Sequence, residues 1–181
     1  MILGLDISTS VTGVAIVDSE NKIVYKTYWD LKKHKDFFDK ALFVKDKIYD
    51  LRHKFGNSIK QIYIEQSLQS FRSGFSSAKT LSTLARFNGT VSWICYQYFK
   101  VKPNYVAATS ARKLNGITVP KGKKAKEVVM QFLLDNEPDF SVDYTKNGNI
   151  KTQFYDVSDA IVIARAGFVL ENDKKEDKDT L

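Results

Sequence analysis

The stretch MILGLDISTSVTGVAIVDSENKIVYKTYWD (residues 1–30) contains three short apolar segments separated by turn residues. We predict three strands in it, at residues 1–7, 11–18 and 23–30. Consecutive short strands with short connections are typical of an antiparallel meander. The chain is therefore expected to begin by building one half of a sheet.

Beyond residue 30, segments whose apolar residues have helical spacing alternate with short apolar segments typical of strands. We predict helices over 35–55, 77–99 and 123–135, another starting near Val157, and strands over 60–65 and 101–107. Pro103 cannot donate to a ladder, which favours a sheet edge for the last strand. The order β-β-β-α-β-α-β-α-α implies an α/β fold with a five-stranded mixed sheet flanked by α-helices. We expect one domain over residues 1–172 and a charged, flexible tail over 173–181.

Composition narrows the class of protein. The chain has 181 residues, a net charge of +7 and a single cysteine, Cys95. One cysteine excludes an internal disulfide and a cysteine-rich zinc site, which favours a reducing, cytoplasmic location. No apolar run is long enough to predict a membrane span, and no basic segment precedes the first apolar residues as in a secretory signal. The excess of positive charge favours a polyanionic partner.

Four acids lie at the ends of apolar elements: Asp6, Glu65, Asp156 and Asp159. Asp6 and Glu65 each close a predicted strand, and the strand period places both on the face opposite their large apolar neighbours. Asp156 and Asp159 are three residues apart, so they share one side of the last helix. Singly, each acid could be a turn residue, a helix cap or a surface acid.

Together, the four acids predict a metal site. Carboxylates that converge repel one another, and a divalent cation reverses that repulsion. Mg²⁺ prefers carboxylate oxygens, and a pair of such ions can activate water and stabilise the leaving oxygen of a phosphodiester. We therefore expect a hard divalent cation such as Mg²⁺, two ions per site, and phosphodiester hydrolysis.

Four segments, in this order, resemble the RuvC-type Holliday junction resolvases. They are LGLDISTSVTGVAIVD (3–18), IYIEQSLQS (62–70), SSAKTLSTLARFNGTVSWICYQ (76–97) and DVSDAIVIARA (156–166). The Glu-Gln pair combined with Asp-x-x-Asp-Ala is the more specific part. The resemblance implies an RNase H-like fold, a symmetric homodimer, dependence on Mg²⁺ or Mn²⁺, and paired nicks that resolve four-way DNA junctions. It places all four acids at metal-ligand positions, and the position of Asp156 is the one that varies most in the family. A phage or mobile-element source would fit this chain. In that case the protein would be located in the host-cell cytoplasm.

The resemblance also implies a DNA-contacting surface. Its phosphate-contacting lysines correspond to the loop PKGKKAK, and we predict a catalytic role for Lys124 there. The predicted DNA-binding residues are Lys113, Arg112, Lys121, Lys123, Lys124, Lys126, Arg72, Phe71 and Phe75. The family carries an aromatic wedge after its Glu-Gln pair, whereas this chain has Leu68 at that position. Leu68 itself, Phe71 or Phe75 could take the place of the wedge, with the two rings stacking on bases, or the rings could simply pack under the loop.

The second long helix is expected to carry the dimer contact. Its apolar residues extend beyond one stripe, which indicates burial on more than one side, although packing against the sheet could supply all of it. These residues are Leu81, Leu84, Phe87, Val91, Trp93 and Ile94.

Three other functions compete with junction resolution. An RNase H-like nuclease acting on branched DNA or RNA–DNA hybrids would use the same acids. The actin-like and sugar-kinase ATPases share the Gly-x-Asp opening and Thr-Gly hairpin, but 181 residues leave no room for their second nucleotide-binding half. A module that binds junctions without cutting them would not need the four acids.

Overall fold

The computed structural model describes residues 1–66 and 78–179. In these residues five strands form one sheet: β1 (Ile2–Asp6), β2 (Val11–Val17), β3 (Ile23–Asp30), β4 (Gln61–Glu65) and β5 (Asn104–Val106). The strand order is β3-β2-β1-β4-β5. Strands β1, β2 and β3 pair antiparallel, while β4 pairs parallel with both β1 and β5. The predicted mixed sheet is confirmed, and β5 with its preceding Pro103 lies at the edge.

The described helices cover both faces of this sheet. They are α1 (Phe37–Phe55), α2 (Ala78–Phe99), α3 (Ala108–Leu114), α4 (Ala125–Asn136) and α5 (Gln153–Asp179). Helix α1 begins where the side chain of Asp36 accepts hydrogen bonds from the backbone N–H groups of Phe38 and Asp39. It ends at Gly56, whose φ of 55° is a conformation that glycine adopts without strain. None of the helices in the described ranges has the length and apolarity needed to cross a membrane.

Two apolar cores lie on opposite faces of the sheet. Leu3, Leu5 and Ile64 pack under α1 and α2, whereas Ile2 and Tyr63 pack under α3, α4 and α5. The alternation follows from the strand period of two, which sends successive side chains to opposite faces. Asp6 and Glu65 therefore belong to the α5 face, as the sequence predicts.

Helix α5 lies unusually close to the first two strands because two glycines face it. A Cβ on Gly4 would lie 2.6 Å from the backbone nitrogen of Ala164, and one on Gly13 would overlap the carbonyl of Asp156. Backbone packed this tightly leaves no space for any side chain. The two glycines thus bring the start of α5 to the ends of β1 and β2.

The structure differs from the sequence prediction at two elements. Helix α3 is absent from the predicted order, because its seven residues are too short to show a helical period. Tertiary contacts hold it instead, since the side chain of Asn115 donates to the carbonyl of Val162 in α5 and Ala111 is buried. Helix α5 begins at Gln153, four residues before the predicted start, and Phe154 packs edge-on against Tyr28 at 6.1 Å. It continues to Asp179, and the flexibility expected of residues 173–181 stays a prediction.

Candidate active site

Two neighbouring parallel strands each present a carboxylate at the same edge of the sheet. Asp6 is the last residue of β1 and Glu65 is the last residue of β4. Parallel pairing of Leu5 with Ile64 places the two acids side by side at the carboxyl ends of these strands. Both are partly buried, since the sheet and α5 surround them.

Helix α5 supplies the other two acids from its first two turns. Asp156 and Asp159 have side chains that are 19% and 12% exposed, so neither is a freely solvated surface acid. The close approach at Gly13 fixes the backbone of Asp156 against β2. The Asp-x-x-Asp spacing then turns both carboxylates toward the ends of β1 and β4.

Three of the four acids converge on one point. Asp6, Glu65 and Asp159 each offer a carboxylate oxygen, and these oxygens all lie within 4.8 Å of one another. We call these three residues the acid cluster. Asp156 lies beside the acid cluster and joins it through a lysine described below.

Burial and mutual repulsion raise the pKa values of the acid cluster. Burial is the larger cause for Asp6, whose pKa is raised well above its usual range, and the charges of Glu65 and Asp159 add to it. The pKa of Glu65 is raised to about 7, chiefly by burial and then by the charge of Asp159. Burial also raises the pKa of Asp159. The folded chain therefore holds three acids together at an electrostatic cost.

Two basic side chains offset part of this cost. The ammonium of Lys126 in α4 lies 2.9 Å from Asp156 Oδ1 and 3.5 Å from Asp159 Oδ2. Arg112 in α3 lowers the pKa of Glu65 and of Asp159 through its positive charge. Among the predicted DNA-binding residues that the structure describes, Lys126 and Arg112 are thus the two that lie near the acids.

The donor set fits a hard divalent cation. Carboxylate oxygens are the ligands that Mg²⁺ and Mn²⁺ prefer, and a spacing below 4.8 Å lets one ion contact all three residues of the acid cluster. Buried carboxylates with raised pKa values gain most from such a charge. Asp6, Glu65 and Asp159 would hold the ion, with Asp156 at its border.

The remaining predicted site residues lie elsewhere or outside the described ranges. Lys124, the predicted catalytic lysine, lies at the start of α4 with its side chain 81% exposed, and its ammonium pairs with Glu127 at 3.0 Å. Lys113, Lys121 and Lys123 are exposed. Leu68, Phe71, Arg72 and Phe75 lie outside the described residues. Geometry favours Lys126 over Lys124 as the lysine of this site.

Asn88 is a site residue that the sequence analysis does not identify. It is only 6% exposed, and its side-chain N–H donates to the backbone carbonyl of Glu65 at 3.0 Å. It also lines, with Leu81 and Leu84, a cavity of about 130 Å³ that opens beside Asp6 and Glu65. A polar residue inside the apolar stripe of α2 is the sequence signal that could have identified it.

Solved structures of RuvC and of a yeast mitochondrial Holliday junction resolvase share this fold. RuvC of T. thermophilus in complex with a Holliday junction substrate superimposes with a TM-score of 0.64 over 94% of each chain, at 12% identity. The yeast mitochondrial Holliday junction resolvase Ydc2 superimposes with a TM-score of 0.63, covering 99% of this chain and 84% of that chain, at 15% identity. A separate Thermus thermophilus RuvC structure matches with a TM-score of 0.58 at 15% identity, over 94% of this chain and 95% of that one.

The comparisons identify the fold. The chain has an RNase H-like fold, which it shares with these RuvC and Ydc2 structures over nearly its full length. No protein-family model matches the sequence, and no curated protein matches it significantly.

Proposed function

We propose that this protein is a metal-dependent endonuclease that resolves four-way DNA junctions by paired, symmetric nicks. The observation that carries the proposal is the convergence of Asp6, Glu65 and Asp159 within 4.8 Å at one sheet edge. The likeness to RuvC and Ydc2 in fold supports it, because both are described as acting on Holliday junctions. Function resides in a site rather than in a fold, so the acid cluster is the stronger support.

The chain's own residues divide the work of hydrolysis. Bound Mg²⁺ or Mn²⁺, with two ions in the complete site, would supply an activated water and stabilise charge on the leaving oxygen. Asp6, Glu65 and Asp159 would fix the position of the cations, and Asp156 would complete the ligand set. Lys126 and Arg112, which border the acids, would offset negative charge at the scissile phosphate.

A basic surface beside the site would hold the DNA backbone. Arg112 and Lys113 lie in the last turn of α3. Lys121 and Lys123 lie in the loop before α4, and Lys124 is the residue that caps the start of α4. Lysine and arginine contacts to phosphates are independent of sequence and set the position of the DNA. We propose that these residues follow the junction arms, together with Phe71, Arg72 and Phe75 from outside the described ranges.

We further propose that the protein acts as a homodimer. Two symmetric cuts require two active sites, and a two-fold dimer supplies them. Exposed apolar side chains on the outer face of α1 and α2 support this: Phe38, Leu42, Tyr49 and Trp93. Most apolar residues of α2, including Phe87, Val91 and Ile94, pack against the sheet instead.

The deciding experiment compares three labelled substrates with Mg²⁺ present: a synthetic four-way DNA junction, a plain duplex and an RNA–DNA hybrid. We expect paired nicks confined to the junction. Asp6→Asn should abolish cutting while junction binding stays intact or tightens, because the variant loses a metal ligand and one repulsive charge. Lys60→Gln, an exposed change away from the acids, is the control that should cut normally.

Each other outcome selects a different function. Cutting of the hybrid, or of every branched form, would move the function to a broader RNase H-like nuclease with the same metal chemistry. Tight junction binding without cutting would leave a binding module. Normal cutting by Asp6→Asn would remove the acid cluster from the mechanism.

A further inference from the structure

One lysine near the start of α4, Lys126, lies among the carboxylates of the candidate active site. The ammonium of Lys126 bridges Asp156, at 2.9 Å, and Asp159, at 3.5 Å. Asp159 also belongs to the acid cluster, so its carboxylate takes part in both arrangements. Lys124, two residues earlier, pairs with Glu127 within its own helix turn.

The Lys126 ammonium and a divalent cation compete for the same charges. A lysine ammonium is a compact positive charge that donates to carboxylate oxygens, the same oxygens that Mg²⁺ prefers. Once Asp159 holds a divalent cation, its attraction for Lys126 is offset by repulsion between two cations in a partly buried site. The ion pairs of Lys126 with Asp156 and Asp159 are therefore more stable without a bound cation than with one.

Lys126 is able to leave without disturbing the core. Its side chain is 56% exposed although its ammonium contacts two partly buried acids. The flexible four-carbon stem lets the ammonium swing outward by rotation about side-chain bonds. Lys121, Lys123 and Lys124, which precede Lys126 in the chain, are exposed.

We propose that Lys126 is a displaceable internal counter-ion, which occupies the Asp156–Asp159 side of the site without metal and is released toward DNA phosphate when metal binds. This inference rests on the proposed function, because it requires the metal site. It gives Lys126 two positions with separate roles. In the first it stabilises uncompensated acids, and in the second it contacts the substrate, so the lysine reaches phosphate only in the metal-loaded protein.

The first test measures how fast each lysine is acylated by a limiting amount of an acetylating reagent, with peptide mass spectrometry as readout. Without metal, Lys126 should react more slowly than exposed Lys123, because an ion-paired ammonium is withheld from the reagent. Saturating Mg²⁺ should raise the rate at Lys126 toward that of Lys123, whose own rate should stay constant. Asp156→Asn should raise the rate at Lys126 even in chelator, because it removes the 2.9 Å partner.

The second test measures Mn²⁺ affinity by electron paramagnetic resonance. Lys126→Gln should bind Mn²⁺ about tenfold more tightly, because the competing charge is gone. Lys123→Gln removes the same charge from an exposed position in the same loop and should change the affinity much less. An unchanged or weaker affinity in Lys126→Gln would overturn the proposal.

The outcomes separate this inference from the proposed function. If Mn²⁺ binds the wild-type protein but the acylation rate of Lys126 does not respond to Mg²⁺, Lys126 is not displaced, while the nuclease proposal stands. If neither ion binds, the metal site is wrong, and both proposals are overturned together.

Discussion

At the residue scale, the carboxyl of Glu65 shows how the acid cluster affects stability. Its pKa is about 7 in the folded protein and 4.5 ordinarily, so folding takes up a proton between these two values. Stability then falls as the pH rises through this window, and the loss is complete above about 7. Asp6 and Asp159, whose pKa values are also raised, act in the same direction.

Glu65→Gln should therefore stabilise the metal-free protein well above pH 7 and have little effect near pH 4.5. The amide of Gln cannot ionise, so the variant avoids the cost of holding a buried carboxylate. That cost is up to about 3 kcal/mol of unfolding free energy, at roughly 1.4 kcal/mol per pKa unit. Urea unfolding in a chelating buffer at both pH values would measure this difference. Glu20→Gln changes an exposed acid paired with Lys22 and is the matched control, expected to be near neutral at both. A Glu65→Gln variant less stable than wild type at high pH would contradict the expectation.

At the scale of elements, the site depends on how closely α5 packs on the sheet. Gly4→Ala should lower the free energy of unfolding by at least 1–3 kcal/mol, roughly the cost of overpacking, because its Cβ would lie 2.7 Å from that of Ala164. Displacement of α5 should also weaken Mn²⁺ binding, because α5 carries Asp156 and Asp159. Chemical unfolding and a metal titration would measure the two effects.

The control for Gly4→Ala is the same substitution at Gly89 in α2. A Cβ there would meet no atom within 4 Å, so the change should stabilise the helix, by roughly 0.5–1 kcal/mol. Equal effects at Gly4 and Gly89 would show that close packing of α5 is not required.

The position of Glu65 at the end of β4 also depends on α2, through the side chain of Asn88. Asn88→Ala should weaken Mn²⁺ binding and lower kcat on the junction more than it raises KM, because the carbonyl of Glu65 loses its 3.0 Å donor and the carboxylate loses its fixed position. It should also cost about 1–3 kcal/mol of stability, typical of an orphaned polar group. Thr90→Ala is the control, since the Thr90 hydroxyl donates to the carbonyl of Arg86 within α2 rather than to β4. If both variants bind Mn²⁺ like wild type, Asn88 has only a structural role.

At the scale of the whole molecule, the distribution of exposed apolar side chains bears on assembly. Phe38, Leu42 and Tyr49 of α1 and Trp93 of α2 lie in the layer of helices that faces away from α5. A contact between two copies through this surface would use the helix layer on the side of the sheet opposite to α5, which carries Asp156 and Asp159. This arrangement suits a dimer that cuts two strands.

Trp93→Glu should convert the proposed dimer to a monomer, because a charge would be buried at a position that is 57% exposed in the single chain. Sedimentation equilibrium should give twice the chain mass of 20.6 kDa for wild type and the single mass for the variant. Tyr144→Glu, equally exposed at 57% but in the loop before α5, should remain dimeric. A dimeric Trp93→Glu variant would place the contact on another surface.

The sequence by itself determined the sheet, most helices and the identity of the acids. Residue periods of two and of three to four are local properties, and Asp6 and Glu65 stand out because they close apolar strands. Only the tertiary structure decided which residues meet. Helix α3 exists through contacts with α5, Asn88 reaches Glu65 from a distant helix, and Lys126 rather than Lys124 contacts the acids. These facts depend on how far apart the elements lie, which no local period in the sequence encodes. For α5 and the first two strands, Gly4 and Gly13 set that distance by letting two backbones touch.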